Sequence, residues 1–172
     1  MFLLFFPASL GLLSQVMMGN ELSYQLLALA LLLLCIDQAR MAVVDLEHVK
    51  QVQQQVQDAR LTHFYRVTIS TIVLELLGFY SSYLWLGWGA ILVLLSQVWF
   101  NVLAGIQLQP TEENPIQPWG VPERRLVLIA DGIGLILVSL WILQIAPLWM
   151  ASGLLAMVII YGWVKYGLTL LV

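Results

Sequence analysis

Residues 126–172 decide the fold of this 172-residue chain, and they read LVLIADGIGLILVSLWILQIAPLWMASGLLAMVIIYGWVKYGLTLLV. Only two of these side chains carry a charge, Asp131 and Lys165. A transmembrane helix needs about 20 mostly apolar residues, so the stretch is long enough for two helices and a turn near Pro147. We therefore predict a membrane hairpin over residues 126–170.

A second stretch, residues 67–109, shows the same pattern and has Glu75 as its one charged side chain. The sequence Gly-Trp-Gly at 87–89 lies near its middle and predicts a bend. Tryptophan is favoured where the bilayer meets water, which agrees with a turn at the membrane surface. We predict a hairpin over residues 67–108.

The N-terminal part contains two shorter apolar segments, residues 1–19 and 22–38, separated by Asn20 and Glu21. A secretory signal peptide opens with positive charge, whereas no Lys or Arg precedes Arg40 in this chain. We therefore expect residues 1–19 to be retained and to form a hairpin with 22–38. The predicted fold class is an all-α integral membrane protein with six transmembrane helices in three hairpins.

The overall composition supports this class. Hydrophobic residues make up 61% of the chain and charged residues 10%, whereas a soluble domain is about 25% charged. The net charge of −3 leaves no basic surface for nucleic acid. The single cysteine excludes an internal disulfide and a cysteine zinc site. We expect the lipid bilayer as its surroundings, with no nucleic acid, no metal and no cofactor.

Two polar segments, residues 39–66 and 109–125, set the predicted orientation. Six of the seven Lys and Arg residues lie in them, and the seventh, Lys165, lies near the same end of the last helix. Basic residues favour the cytoplasmic side, which predicts that both termini are inside. The expected location is a bacterial plasma membrane, or a thylakoid membrane if the host is photosynthetic.

The segment 39–66 is predicted to be helical, because no Gly or Pro occurs between Asn20 and Leu77. The chain must return to the membrane at 67, so the segment either folds into a short helical hairpin or lies along the membrane. Its apolar residues recur at helical spacing and form an amphipathic stripe for the membrane surface or a partner. This stripe consists of Met41, Val44, Val49, Val52 and Val56. The four prolines of 109–125 predict an extended connector.

Three ionisable residues fall inside predicted spans, where charge is costly and often functional. Asp131 and Lys165 lie at nearly equal distances from their bend, which predicts an ion pair unless Lys165 extends to the interface. Glu75 is level with Gln97 and Asn101, whose amides could bond to it. These groups serve either helix–helix attachment or a proton or cation path.

The sequence lacks a phosphate-binding glycine loop, a nucleophile elbow and a zinc-binding helix motif. The leading hypothesis is a non-enzymatic accessory or assembly subunit that contacts other membrane proteins, or further copies of itself, through helix packing and the segment 39–66. The alternative is a small oligomeric transporter or ion-coupled carrier that uses the three intramembrane charges. A third possibility, a membrane enzyme acting on lipid, requires a pocket formed by Asp45, His48 or His63.

Overall fold

The computed structural model describes residues 2–111 and 114–167, which form six α-helices and two short strands. They are α1 (Phe2–Met18), α2 (Leu22–Gln55), α3 (Ala59–Ser81), α4 (Leu86–Leu103), β1 (Ile106–Leu108), β2 (Ile116–Pro118), α5 (Arg125–Ile142) and α6 (Pro147–Gly167). Four helices within these ranges are long and apolar enough to cross a membrane, namely α2, α4, α5 and α6. The predicted end of the last hairpin at 170 lies outside the described residues.

Three interhelical turns, at 19–21, 82–85 and 143–146, meet at one end of the bundle, here called the bend end. The side-chain amide of Gln15 donates to the backbone oxygens of Ser82, at 2.9 Å, and Tyr83, at 3.1 Å. The rings of Tyr24 and Trp141 pack with their centroids 6.1 Å apart. The opposite end, here called the hairpin end, holds the α2–α3 turn and both strands.

Helix α2 is longer than a bilayer requires, since its 34 residues span about 50 Å at 1.5 Å per residue. It continues to Gln55 because no Gly or Pro interrupts it. After an extended turn, Asp58 caps α3 by accepting a hydrogen bond from the Arg60 backbone amide at 2.8 Å. Residues 39–66 therefore comprise the C-terminal half of α2, the turn and the start of α3, which begins at Ala59.

The glycines near the predicted bend at 87–89 pack helices together instead of turning the chain. Helix α3 ends at Ser81, and the turn occupies residues 82–85. A Cβ atom on Gly89, inside α4, would stand 2.1 Å from the Ser82 hydroxyl and 2.6 Å from the Gly78 carbonyl oxygen. Glycine at 89 is thus what allows α3 and α4 to approach so closely.

The proline-rich loop forms a β-hairpin where an extended connector was predicted. Strands β1 and β2 pair antiparallel, with Ile106 opposite Pro118 and Leu108 opposite Ile116. Gly105 turns the chain from α4 into β1 with a φ of 65°, which glycine adopts without steric cost. Because two-stranded hairpins are marginal alone, this one depends on the helices beneath it.

A second hydrophobic cluster lies under this β-hairpin, separate from the main core of the bundle. It is formed by Val49, Val52, Leu61, Phe64, Val67, Ala104, Ile106, Leu108 and Ile116. Val49 and Val52, predicted to face the membrane surface or a partner, are 2% and 0% exposed and pack within the chain itself. Of the remaining stripe, Val44 is half-buried, Val56 is exposed and Met41 lines a cavity.

Candidate functional site

A polar cavity of about 150 Å³ lies between the helices in the hairpin-end half of the bundle. It follows two turns of α2, from Gln38 to Asp45, and two turns of α3, from Thr68 to Glu75. Its other walls come from α4, α5 and α6. The remaining lining residues are Met41, Ala42, Thr71, Ile72, Gln97, Phe100, Asn101, Val127, Tyr161 and Lys165.

Glu75 lies at the deep end of this cavity and is only 2% exposed. No hydrogen bond to its carboxyl group forms within residues 2–111 and 114–167, so the predicted bonds from Gln97 and Asn101 are not made. Two polar atoms at the cavity are buried without a partner, the Thr71 hydroxyl and the side-chain nitrogen of Gln97. Buried polar groups are almost always hydrogen-bonded, so these two atoms, beside the carboxyl group of Glu75, indicate a place for a polar occupant.

The charge around the cavity is mainly negative. Asp45 lies on its wall, and Asp37 and Asp45 are close enough to Glu75 for their charges to act on it. The nearest basic side chains are Arg124 and Lys165, whose charges act on Asp45. A site with more carboxylates than cations favours a proton or a positively charged ligand.

Asp131 belongs to a hydrogen-bonded chain beside the cavity. The Asn101 side-chain amide donates to the Asp131 carboxylate at 3.3 Å, and the Arg124 guanidinium donates to the Asn101 oxygen at 3.4 Å. Arg124 also donates to the Ile106 backbone oxygen at 3.0 Å. Burial lowers the pKa of Arg124, an effect that the charge of Asp45 opposes. This chain ties Asp131 of α5 to the β-hairpin.

Lys165 does not pair with Asp131, which corrects the predicted ion pair. Its ammonium nitrogen lies 2.8 Å from the Asp37 carboxylate, which also accepts a hydrogen bond from the Tyr166 hydroxyl. The count from the bend compares only the depths of the two residues, and depth does not give the direction in which a side chain points. Helix α6 packs against α2 as well as α5, and Lys165 faces α2.

Between the Glu75 cavity and the bend end, α2 and α4 contribute a closely packed apolar layer. Side chains there are small or apolar and fully buried, including Ala28, Leu31, Ala90 and Val93 at 0% exposure. A further cavity at the bend end is lined by a separate set of residues, among them Asn20 and Glu21. The packed layer therefore separates the Glu75 cavity from that end.

The residues needed for a lipid-active enzyme are not brought together. Asp45 lines the cavity, whereas His48 does not, and His63 is exposed on α3 with a ring nitrogen 3.0 Å from the Leu103 carbonyl oxygen. Within the described ranges, no group of three His, Cys, Asp or Glu side chains could hold a metal ion.

Sequence reasoning found Glu75 and Gln97 but missed most of the cavity wall on α2 and α3. The signal was present as helical spacing. Gln38 and Asp45 are seven residues apart, and Thr68, Thr71 and Glu75 follow at intervals of three and four. Such spacing puts each set on one side of its helix. The polar side of α2 and the polar side of α3 both line the cavity.

This geometry can take up and release a proton at Glu75 and can hold a small cationic group between Glu75 and Asp45. The chain matches no protein-family model, no curated protein and no solved structure with which it was compared.

Proposed function

We propose that this protein is a small ion-coupled membrane carrier, working as an oligomer, in which Glu75 binds the transported proton or cation. The observation that supports the proposal most strongly is the polar cavity that reaches the otherwise buried Glu75. Ionisable groups inside membranes concentrate at ion and proton pathways. Here the carboxyl group lacks a structural partner, so helix attachment does not account for its presence.

Besides a binding site, a carrier needs a barrier, and the packed layer around Leu31 and Val93 provides one. A carrier must close its site to one side while it is open to the other. In this arrangement the apolar layer closes the site towards the bend end. Transport then requires a rearrangement of α2 against α3 and α4 that opens this layer.

Asp131 and Lys165 have supporting parts in this mechanism. Lys165 neutralises Asp37, so that Glu75 and Asp45 remain the two carboxyl groups open to a ligand. Asp131 receives the Asn101 amide and, through it, links the cavity wall to Arg124. Asn101 lines the same cavity as Glu75, so a proton or cation bound there lies beside this chain of polar contacts to the β-hairpin.

The test is ion flux in reconstituted vesicles that contain a pH-sensitive dye. We expect the wild-type protein to carry protons down an imposed gradient and the Glu75→Gln variant to show only the leak of empty vesicles. Glu21→Gln is the matched control, because it makes the same chemical change at an exposed residue outside the cavity. Flux that persists after neutralising both Glu75 and Asp131 would exclude the proposed path.

The proposed orientation puts the hairpin end and both termini on the cytoplasmic side of a bacterial plasma membrane, or on the same side of a thylakoid membrane if the host is photosynthetic. Its support is the distribution of basic residues, since all seven lie towards that end. Reporter fusions at each terminus should be active only in their cytoplasmic form. An active periplasmic reporter at either terminus would reverse the orientation.

A second candidate, an accessory or assembly subunit of a membrane complex, is favoured by the exposure of α5 and α6. Only 22% and 17% of the residues in their apolar windows are buried, against 50% in α2. These two helices therefore offer a broad apolar face to lipid or to another subunit. Extraction in mild detergent should then yield a stable larger species with a second protein, whereas a free monomer would contradict this role.

A further inference from the structure

An apolar groove of about 320 Å³ runs between α2 and α6 on the outside of the bundle. Its walls include Leu33, Ile36, Val158 and Ile159, and Gly162 widens it because a Cβ atom there would meet nothing within 4 Å. Ile36 and Ile159 are about half exposed, so the groove opens towards the surface that the bilayer covers. Its shape and lining suit an acyl chain.

One end of the groove carries a positive charge. Arg40 lines it, is exposed, and has its guanidinium 4.6 Å from the centroid of the Tyr166 ring. Asp37, the acidic residue of the groove, is neutralised by Lys165 at 2.8 Å. Arg40 itself forms no ion pair with any residue in the described part of the chain. The polar end of the groove therefore has a net charge of one positive unit.

The position of Arg40 along α2 matches the level of lipid headgroups. It lies 18 residues after Leu22, which corresponds to about 27 Å of helix. The hydrocarbon core of a bilayer is about 30 Å thick. With Leu22 at one interface, the guanidinium is then level with the phosphates of the other.

We propose that this groove is a binding site for one anionic phospholipid, whose phosphate bonds to Arg40 and whose acyl chain lies between α2 and α6. The groove lies beside the Glu75 cavity, with which it shares Tyr161, and lipid binding there does not depend on transport. Basic pockets between transmembrane helices bind anionic headgroups in this manner. Arginine presents several donors to a phosphate at once.

The experiment is native mass spectrometry of the full chain in detergent, with phosphatidylglycerol or phosphatidylcholine added in equal amounts. We expect one tightly held lipid with a preference for phosphatidylglycerol of about fivefold, as one basic contact near a membrane surface provides. Arg40→Gln should abolish the preference but leave lipid binding. Gly162→Phe should fill the groove and reduce the binding of both lipids.

Arg66→Gln is the matched control, since it removes the same charge from an exposed residue of α3 and should keep the fivefold preference. Circular dichroism checks that each variant is folded, and Arg40→Gln decides the matter even if Gly162→Phe does not fold. Equal retention of the two lipids by the wild type would overturn the proposal. So would an equal loss in Arg40→Gln and Arg66→Gln, or displacement of the lipid by inorganic phosphate.

Discussion

The bend end and the hairpin end of this bundle use the same helices in opposite ways. At the bend end, α3 and α4 are pressed together through Gly78 and Gly89, and α2 contributes buried Ala28 and Leu31. At the hairpin end, the same three helices separate around a polar cavity. The difference lies in the residues that face inward, since glycine and alanine permit close contact, whereas glutamate and threonine hold the helices apart. Packing and a ligand-accessible space thus occupy successive turns of one bundle.

The largest expected effect comes from breaking the close packing at the bend end. Gly89→Leu should destabilise the protein by about 3 kcal/mol, because its side chain would overlap Ser82 and the Gly78 backbone and cannot be accommodated by rotation. The free energy of unfolding is measured by denaturant titration in detergent micelles, followed by circular dichroism.

Gly132→Ala is the control for this packing effect. A Cβ atom at Gly132 meets nothing within 4 Å, so the variant should be as stable as the wild type or slightly more stable through its higher helix propensity. Equal destabilisation by both substitutions would mean that loss of glycine, and not the close helix contact, causes the effect.

The next effect has the opposite sign and concerns the cavity. Glu75→Met should raise the free energy of unfolding by about 1–3 kcal/mol, because it removes a buried polar group that has no hydrogen-bond partner. The same variant should carry no ions in vesicles. A variant that is more stable than the wild type but carries no ions would show that Glu75 lowers stability and serves transport. A less stable variant would show that Glu75 contributes to helix packing.

A smaller loss is expected at the cavity rim, where Lys165 joins α6 to α2. Lys165→Met leaves Asp37 partly buried and unneutralised, with 12% of its side chain exposed. The cost should be about 1–2 kcal/mol, reduced from that of a fully buried pair by access to solvent. Arg60→Met is the comparison, because it breaks an exposed pair with Asp58 and should lower the unfolding midpoint much less.

The smallest effect is expected at the cap of α3. Hydrogen bonds from the side chain and backbone of Arg60 lower the pKa of Asp58. Its stabilising contribution is therefore complete at neutral pH and is lost as the pH falls through the folded-state pKa, below about 3.9. Asp58→Ala should lower the unfolding midpoint slightly at pH 7, and Asp58→Asn should lower it by less, because it removes the charge but retains a capping oxygen. A drop of the same size in both would assign the effect to charge.

Much of the helical content could be predicted from apolar stretches and the scarcity of charge. The position of the turn between α2 and α3 could not be predicted, because a polar helical segment without Gly or Pro gives no clear sign of where it breaks. The glycines at 87 and 89 were assigned to a turn because composition alone does not distinguish a bend from a close helix contact. The β-hairpin was missed because strands of three residues carry almost no periodic signal, and these depend on Val49 and Val52 for support.

The candidate site was predicted in part. Glu75 and Gln97 could be found because a charge or an amide within an apolar helix is conspicuous. The pairing of Lys165 with Asp37 could not, because these residues are 128 positions apart and join helices that are not neighbours in sequence.

The sequence by itself determined that several helices are apolar enough to cross a membrane and which few of their side chains carry charge, because hydropathy and charge are local properties of the chain. Only the tertiary structure decided which of those side chains meet. Direction around a helix axis and packing between distant helices bring Glu75 to a cavity, Lys165 to Asp37 and Arg40 to an open groove.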